Sequence, residues 1–218
     1  MPSRRLLTPS VARCAALVAG VGIVLAGCGL DGPTPEPGLS APEVYARVAP
    51  GVGYIETSLG SGTGVLVAPG RLVTNAHVVW PYGEVRVAFA DGTEVDPAPV
   101  VAQDLLADLA VVDVSAGGEA VGQARVLPIR DAADLCVGED VYLVGYPSEV
   151  ELFPQPAITR GLLSRRRVWD AIDMPLLQTD ARIAGGQSGG ALVASDGSVV
   201  GFSTMIFGEG DFGLALAA

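Results

Sequence analysis

Apolar residues fall into two patterns along this chain. From Ala15 to Ala26 they run without interruption, behind a flank that carries Arg4, Arg5 and Arg13 and no acid. From the middle of the first hundred residues onward they come in runs of roughly four to eight, broken by Gly, Pro and Asp. Examples are RLVTNAHVV, EVRVAFADGTEV, LADLAVVDV, DVYLVGYP, GALVASDGSVVGFSTM and FGLALAA. Short β-branched runs of this kind, with turn residues between them, predict strands that alternate between a core and a second face. Beyond the first apolar block no long segment keeps a helical period, and the one helical turn expected lies in PEVYARVAP. The pattern therefore predicts an all-β barrel or sandwich of many short strands.

Two of the connections are fixed by their chemistry. ADGTEV around Asp91-Gly92 and SDGSVV around Asp196-Gly197 are Asp-Gly turns flanked by strand formers, which predict hairpins. A break over Ser115 to Arg125, SAGGEAVGQAR, divides the rest into two lobes of similar size, about 43–115 and about 125–218, each expected to be a small barrel.

The uninterrupted block is shorter than the roughly 20 residues that a transmembrane helix needs, and its basic flank predicts an export signal. LAGC, Leu25 to Cys28, resembles a bacterial lipobox, which implies a signal over 1–27 and lipidation of Cys28 as the new N-terminus. The Gly- and Pro-rich tract that follows predicts a tether over 28–42, leaving 43–218 as the folded domain. The expected location is the cell envelope, with the domain anchored outside the cytoplasmic membrane. With Cys14 removed and Cys28 acylated, Cys136 in DLCVGEDV is expected to be a solitary thiol, half-buried at a strand entrance.

Charge and composition then exclude several functions. The chain has 24 acids against 13 basic residues, a net charge of -11, and loss of the signal removes three arginines and no acid. Nucleic acid and anionic surfaces are poor partners for such a protein. It has no lysine, so no Walker-type phosphate loop and no serine-lysine dyad can form. With a single histidine, a His-rich metal centre is not expected, and no cofactor is predicted.

That histidine, His77, follows the strand RLVTN at a strand-to-turn junction, where a barrel presents side chains to a cleft. An imidazole that takes a proton needs a carboxylate to set its tautomer. Asp108 sits just ahead of the apolar run Leu109 to Val112, where an unpaired carboxylate would be costly to bury. Asp104 falls in the preceding turn and Asp113 behind the buried segment, so Asp108 is preferred. A nucleophile for acyl transfer stands on a tight turn whose amides converge on the developing oxyanion. AGGQSGGAL, Ala184 to Leu192, supplies such a turn, with Ser188 as the hydroxyl and the amides of Gly186 and Ser188 as the oxyanion hole.

SGTGVLVAPGRLVTNAHVV, ADLAVVDV and QTDARIAGGQSGGALVASDGSVVGFSTM resemble the three catalytic blocks of trypsin-like serine proteases, in the bacterial HtrA/Deg-like branch. The resemblance covers nearly all of the chain from Glu43 onward. It implies two six-stranded antiparallel β-barrels with the active site between them. It also implies a serine endopeptidase with His77 as base, Asp108 as its orienting acid and Ser188 as nucleophile, acting on protein or peptide substrates. Gln187 stands where the family carries Asn or Asp before the serine, which removes the buried ion pair through which N-terminal cleavage activates trypsin zymogens. No PDZ domain is expected after FGLALAA. A loop that never orders would leave the second expectation, a silent protease fold acting as a binding or chaperone-like module. SRRRVWD, Ser164 to Asp170, is expected to be a solvated loop, or else a loop that orders the oxyanion segment or contacts substrate.

Overall fold

The first lobe winds β1 (Val52–Thr57), β2 (Gly60–Ala68), β3 (Arg71–Thr74), β4 (Glu84–Phe89), β5 (Glu94–Asp104) and β6 (Leu109–Asp113) into a closed antiparallel barrel. The second winds β7 (Asp140–Gly145), β8 (Ala157–Trp169), β9 (Met174–Thr179), β10 (Ala191–Ala194), β11 (Val199–Ile206) and β12 (Gly213–Ala217) into another. The structure, a computed structural model, describes residues 38–122, 126–148, 154–170, 172–206 and 213–218. All of them belong to one compact unit, 34–218. The signal segment, Cys28 and most of the tether lie outside the described residues.

Both barrels have the same winding. The neighbour order is β1-β2-β3-β6-β5-β4 in the first and β7-β8-β9-β12-β11-β10 in the second. The predicted Asp-Gly turns join β4 to β5 and β10 to β11. In the first, Gly92 adopts φ 86° and its amide donates to Phe89 O at 2.9 Å; in the second, Gly197 adopts φ 83° and its amide donates to Ala194 O at 2.9 Å. Only glycine takes such a backbone without strain.

Alternation along the strands fills three cores. Strand β6 buries Ala110 and Val112 and leaves its other positions half-exposed, and β4 buries Val85, Val87 and Phe89 in the same rhythm. These residues join Ile55, Leu66 and Leu72 inside the first barrel. Leu143, Leu163, Leu177, Leu192 and Ala215 fill the second. A third cluster lies between the barrels, where Val52 and Val65 of the first meet Tyr142, Val144 and Val193 of the second. Burying a Val or Leu side chain stabilises a fold by roughly 1.5–3 kcal/mol. This largely apolar cluster packs the two lobes against each other.

A helix, α1 (Ala41–Val48), closes over the interface. Ser40 and Glu43 form a reciprocal capping box at its start, with Ser40 N donating to Glu43 Oε2 at 2.8 Å. Val44 and Val48 enter the inter-barrel cluster. Leu39 N donates to Ser195 O at 2.8 Å, so regular structure begins before the expected end of the tether.

Two sequence expectations are corrected. SRRRVWD is not a loop but the outer part of β8, continuing into its hairpin turn. Its Arg166 Nη2 donates to the carbonyls of Ala132 and Ala133, each at 2.9 Å, and to that of Leu135, capping a short 3-10 turn rather than the loop that carries Ser188. A strand pattern was hidden there by three consecutive arginines. Cys136 is half-buried ahead of β7 as expected, but it is disulfide-bonded rather than solitary.

Candidate active site

Sheet register brings the first two candidate residues together. Strand β3 pairs with β6 so that Thr74 faces Ala110. The residues just beyond the end of β3 and just before the start of β6 must therefore meet at one rim of the barrel. His77 lies in α2 (Ala76–Val79), immediately after β3, and Asp108 immediately precedes β6.

The contact between them has several parts. His77 Nδ1 lies 3.0 Å from Asp108 Oδ1 and 2.9 Å from Oδ2, and the His77 backbone N–H donates to Oδ1 at 3.0 Å. Thr204 Oγ1, from β11 of the second barrel, donates to Oδ2 at 2.7 Å. Burial pushes the Asp108 carboxyl up, but hydrogen bonds from His77 and Thr204 and the charge of His77 outweigh it, holding the group below its ordinary value. Asp108 adopts φ 53°, a region unusual for a side-chain-bearing residue. Asn75 Nδ2 donates to Asp108 O at 3.0 Å and so fixes this turn. Asn75 is the N-cap of α2 but makes no capping bond; its Oδ1, the atom that could accept one, is buried without a hydrogen-bond partner.

The two rival acids are used elsewhere. Asp104 Oδ1 accepts from the amides of Leu106 and Ala107, each at 2.9 Å, shaping the β5–β6 turn. Asp113 pairs with Arg71 at 2.8 Å.

Ser188 comes from the second barrel. The loop 184–190 leads into β10, whose Ala191 lies between Val144 of β7 and Phe202 of β11. Ser188 and His77 line one pocket of about 220 Å³ together with Leu59, Ser61, Trp80 and Tyr82. Among the described residues no hydrogen bond yet joins Ser188 Oγ to the imidazole. Such contacts commonly tighten only when substrate binds.

Local geometry explains the glycines around Ser188. Gly186 adopts φ 84°, and a Cβ there would run into Ser148 and the carbonyl of Tyr146. Gly189 adopts φ 82° against Thr63 and Thr74 of the first barrel. Gln187, in place of an acid, is buried at 1 % exposure. Its Oε1 accepts from Ala184 N at 2.7 Å, while its own amide donates to Ala184 O at 3.2 Å. A neutral carboxamide thus closes the loop on itself without an ion pair.

An imidazole held through Nδ1 by a carboxylate can take a proton at Nε2, and a hydroxyl across the same pocket can supply it. Among the described residues the amides of Gly186 and Ser188 donate to no protein group, so both are available to an oxyanion. No set of three or more His, Cys, Asp or Glu residues is grouped to hold a metal among the described residues. Thr204 and Asn75 were not found from sequence. A threonine in a strand and an asparagine before a helix turn carry no signal of a carboxylate partner far along the chain.

The family model of the trypsin-like peptidase domain matches residues 62–202. Chloroplastic Protease Do-like 1 of Arabidopsis thaliana is 36% identical over 160 residues, which cover 70% of this chain and 35% of that protein. A probable periplasmic serine endoprotease DegP-like of Halomonas elongata is 35% identical over 164 residues, covering 73% of this chain and 32% of that protein. The chain thus spans about a third of the length of these relatives. Among solved structures, the HtrA-type protease AlgW with tripeptide superposes with a TM-score of 0.72 at 28% identity, covering 82% of this chain and 60% of that one. Barrel winding, site geometry and sequence agree: the chain belongs to the trypsin-like peptidase family, with HtrA/Do-like serine proteases among its relatives.

Proposed function

We propose that this protein is a serine endopeptidase that cleaves peptide bonds through an acyl-enzyme, with a catalytic triad of His77, Asp108 and Ser188. The observation that carries the reading is the Asp108 carboxylate, which grips both the ring and the amide of His77 in the pocket that also holds Ser188.

In this mechanism Ser188 Oγ attacks the scissile carbonyl carbon while its proton passes to His77 Nε2. The carbonyl oxygen becomes an oxyanion and takes hydrogen bonds from the amides of Gly186 and Ser188. As the tetrahedral intermediate collapses, the C–N bond breaks and His77 returns the proton to the leaving amine. Water then enters, loses a proton to His77 and releases the acyl group, restoring the Ser188 hydroxyl. Asp108 stays ionised throughout and stabilises the imidazolium that forms twice in the cycle. The tripeptide in the AlgW structure supports a peptide as the ligand class.

The reading extends to the N-terminal segments: a lipoprotein signal over 1–27, acylation of Cys28, a tether reaching toward residue 42 and a domain held in the cell envelope. A periplasmic relative supports that location and, with it, exported or envelope proteins as substrates. Radiolabelled palmitate should enter the wild type and not Cys28→Ala; label that survives the substitution refutes the anchor.

A fluorophosphonate probe tests the catalytic part. It should label the wild type at neutral pH and leave Ser188→Ala unlabelled, with hydrolysis of a fluorescent casein falling by about four orders of magnitude or more. A wild type that stays unlabelled and behaves like His77→Ala would establish the silent binding module instead.

A further inference from the structure

All four carbonyls from Gly185 to Ser188 are held by hydrogen bonds. Gly185 O accepts from Ser148 N at 2.6 Å, and Gly186 O from Thr63 Oγ1 at 2.9 Å. Gln187 O accepts from Ser203 Oγ and from Gly190 N, and Ser188 O from Thr63 N at 2.9 Å. In a trans peptide the C=O and N–H point in opposite directions. Tying Gly185 O and Gln187 O on one side therefore turns the N–H groups of Gly186 and Ser188 to the other.

Thr63 alone holds two of these four carbonyls, Gly186 O and Ser188 O, which belong to the peptides adjoining those that bear the oxyanion amides, and it does so from β2 of the opposite barrel. It is fully buried. Its hydroxyl also accepts from Tyr146 N at 2.9 Å, so its single proton is directed to Gly186 O. Its carbonyl accepts from Thr74 Oγ1 at 2.6 Å, three residues ahead of His77. Every polar atom of one residue is thus committed, and together they join the His77 strand, the Ser188 loop and the end of β7.

We infer that Thr63 is a positioning residue that holds the nucleophile loop of the second barrel in register with β3, the strand of the first that leads to His77, and so steadies the neighbouring peptides whose Gly186 and Ser188 amides face the cleft without an external activator. This rests on the serine-nucleophile reading above, but the loop's order can be measured separately from its chemistry. Three variants of the mature protein suffice. Thr63→Val keeps the shape and the backbone N–H but removes the hydroxyl, leaving Gly186 O and Tyr146 N unpaired. Thr63→Ser keeps the hydroxyl. Thr74→Val releases only the Thr63 carbonyl.

Two readouts are taken on each: the second-order rate of fluorophosphonate labelling, and hydrogen–deuterium exchange over 184–190 compared with the barrel strands. Thr63→Val should slow labelling about 10- to 100-fold and speed exchange in 184–190 while the strands stay protected; the range is set below the loss of a direct oxyanion donor. Thr63→Ser should stay within about threefold of wild type on both, since the hydrogen bonds survive. Should Thr63→Val not fold, Thr74→Val should show the same pattern at about a third to a tenth of the effect. Labelling and loop exchange unchanged in Thr63→Val, or in Thr74→Val where that variant stands in, overturn the inference while a labelled wild type preserves the enzyme. An unlabelled wild type whose loop loses protection in Thr63→Val does the reverse: it refutes the enzyme and supports the positioning role.

Discussion

The two barrels are wound alike and contribute unlike things. The first supplies side chains, His77 and Asp108, from short rigid segments at the ends of β3 and β6, where register alone makes them meet. The second supplies a length of backbone, the 184–190 loop, whose useful groups are amides and one hydroxyl. Side-chain chemistry tolerates a simple support, because a carboxylate and an imidazole find each other through charge and hydrogen bonding. Backbone chemistry does not, because an amide points wherever its carbonyl is tied. In the second barrel's loop, Ser148 and Ser203 tie the carbonyls of the Gly186 and Ser188 amides, and Thr63, across the interface, ties those of the adjoining peptides.

This contrast can be broken by substitution. Changes at the side-chain pair should alter both the rate and its pH profile, while changes at the loop should lower the rate and leave the profile in place. The largest effect after loss of the proposed triad's own nucleophile or base belongs to Asp108→Asn, which removes the charge and the tautomer control over His77. Steady-state hydrolysis should fall about 10⁴-fold with a displaced pH profile, and a wild-type profile would show that Asp108 does not govern the imidazole. Asparagine is among the residues that tolerate positive φ, so the fold should survive.

Gly186→Ala comes next. Its methyl group would strike Ser148 and the Tyr146 carbonyl at a backbone angle suited to glycine. The rate should drop about 10²- to 10³-fold, the scale of one lost oxyanion donor, with an unshifted pH profile. A shift in the profile would mean that the loop reaches into the side-chain pair. Thr204→Val removes one charge-assisted hydrogen bond from Asp108 and should slow turnover about tenfold. Because Thr204 belongs to the second barrel yet serves the first, it should behave like Asp108 in its pH profile, and a pure rate effect would place it with the loop.

The smallest effect is on stability. Asp108 is held below its ordinary value in the folded protein, so the unfolded chain binds a proton there more readily. Its contribution is fully present above the ordinary carboxylate pKa of about 3.9 and is lost as pH falls through the lower folded value. Melting temperatures of wild type and Asp108→Asn should differ above the ordinary carboxylate range and converge only in strong acid. Convergence already at pH 5 would contradict the depressed carboxyl.

The sequence made the strands, both Asp-Gly hairpins and the two-lobe division legible because each depends on local pattern. His77 and Asp108 were legible for a related reason: a sole histidine at the end of one strand and a carboxylate ahead of another are anomalies that need explaining. Thr63, Thr74, Ser148, Ser203 and Thr204 were not, since a small hydroxyl residue in or beside a strand is ordinary and its partner is set by three-dimensional register. The strand through SRRRVWD was hidden because consecutive charges obscure the alternation that marks a half-buried strand. Gln187 raised the question of whether the loop could order itself, and its carboxamide on Ala184 supplies a local tie that the residue type alone does not reveal.

The attachments of α1 have a mechanical consequence. Besides Val44 and Val48 in the inter-barrel cluster, Tyr45 Oη donates to Pro156 O at 2.9 Å and Arg47 Nη1 to Asp196 O at 2.9 Å, while Leu39 is fastened to Ser195. Each of these three hydrogen bonds ends on the second barrel. A pull transmitted through the chain at residue 38 would load them in shear and be spread over that barrel's β8 and β10–β11 side before reaching the rim that carries His77. On the tethered reading proposed above, the helix is thus a strain relief, so that tension at residue 38 need not open the cleft.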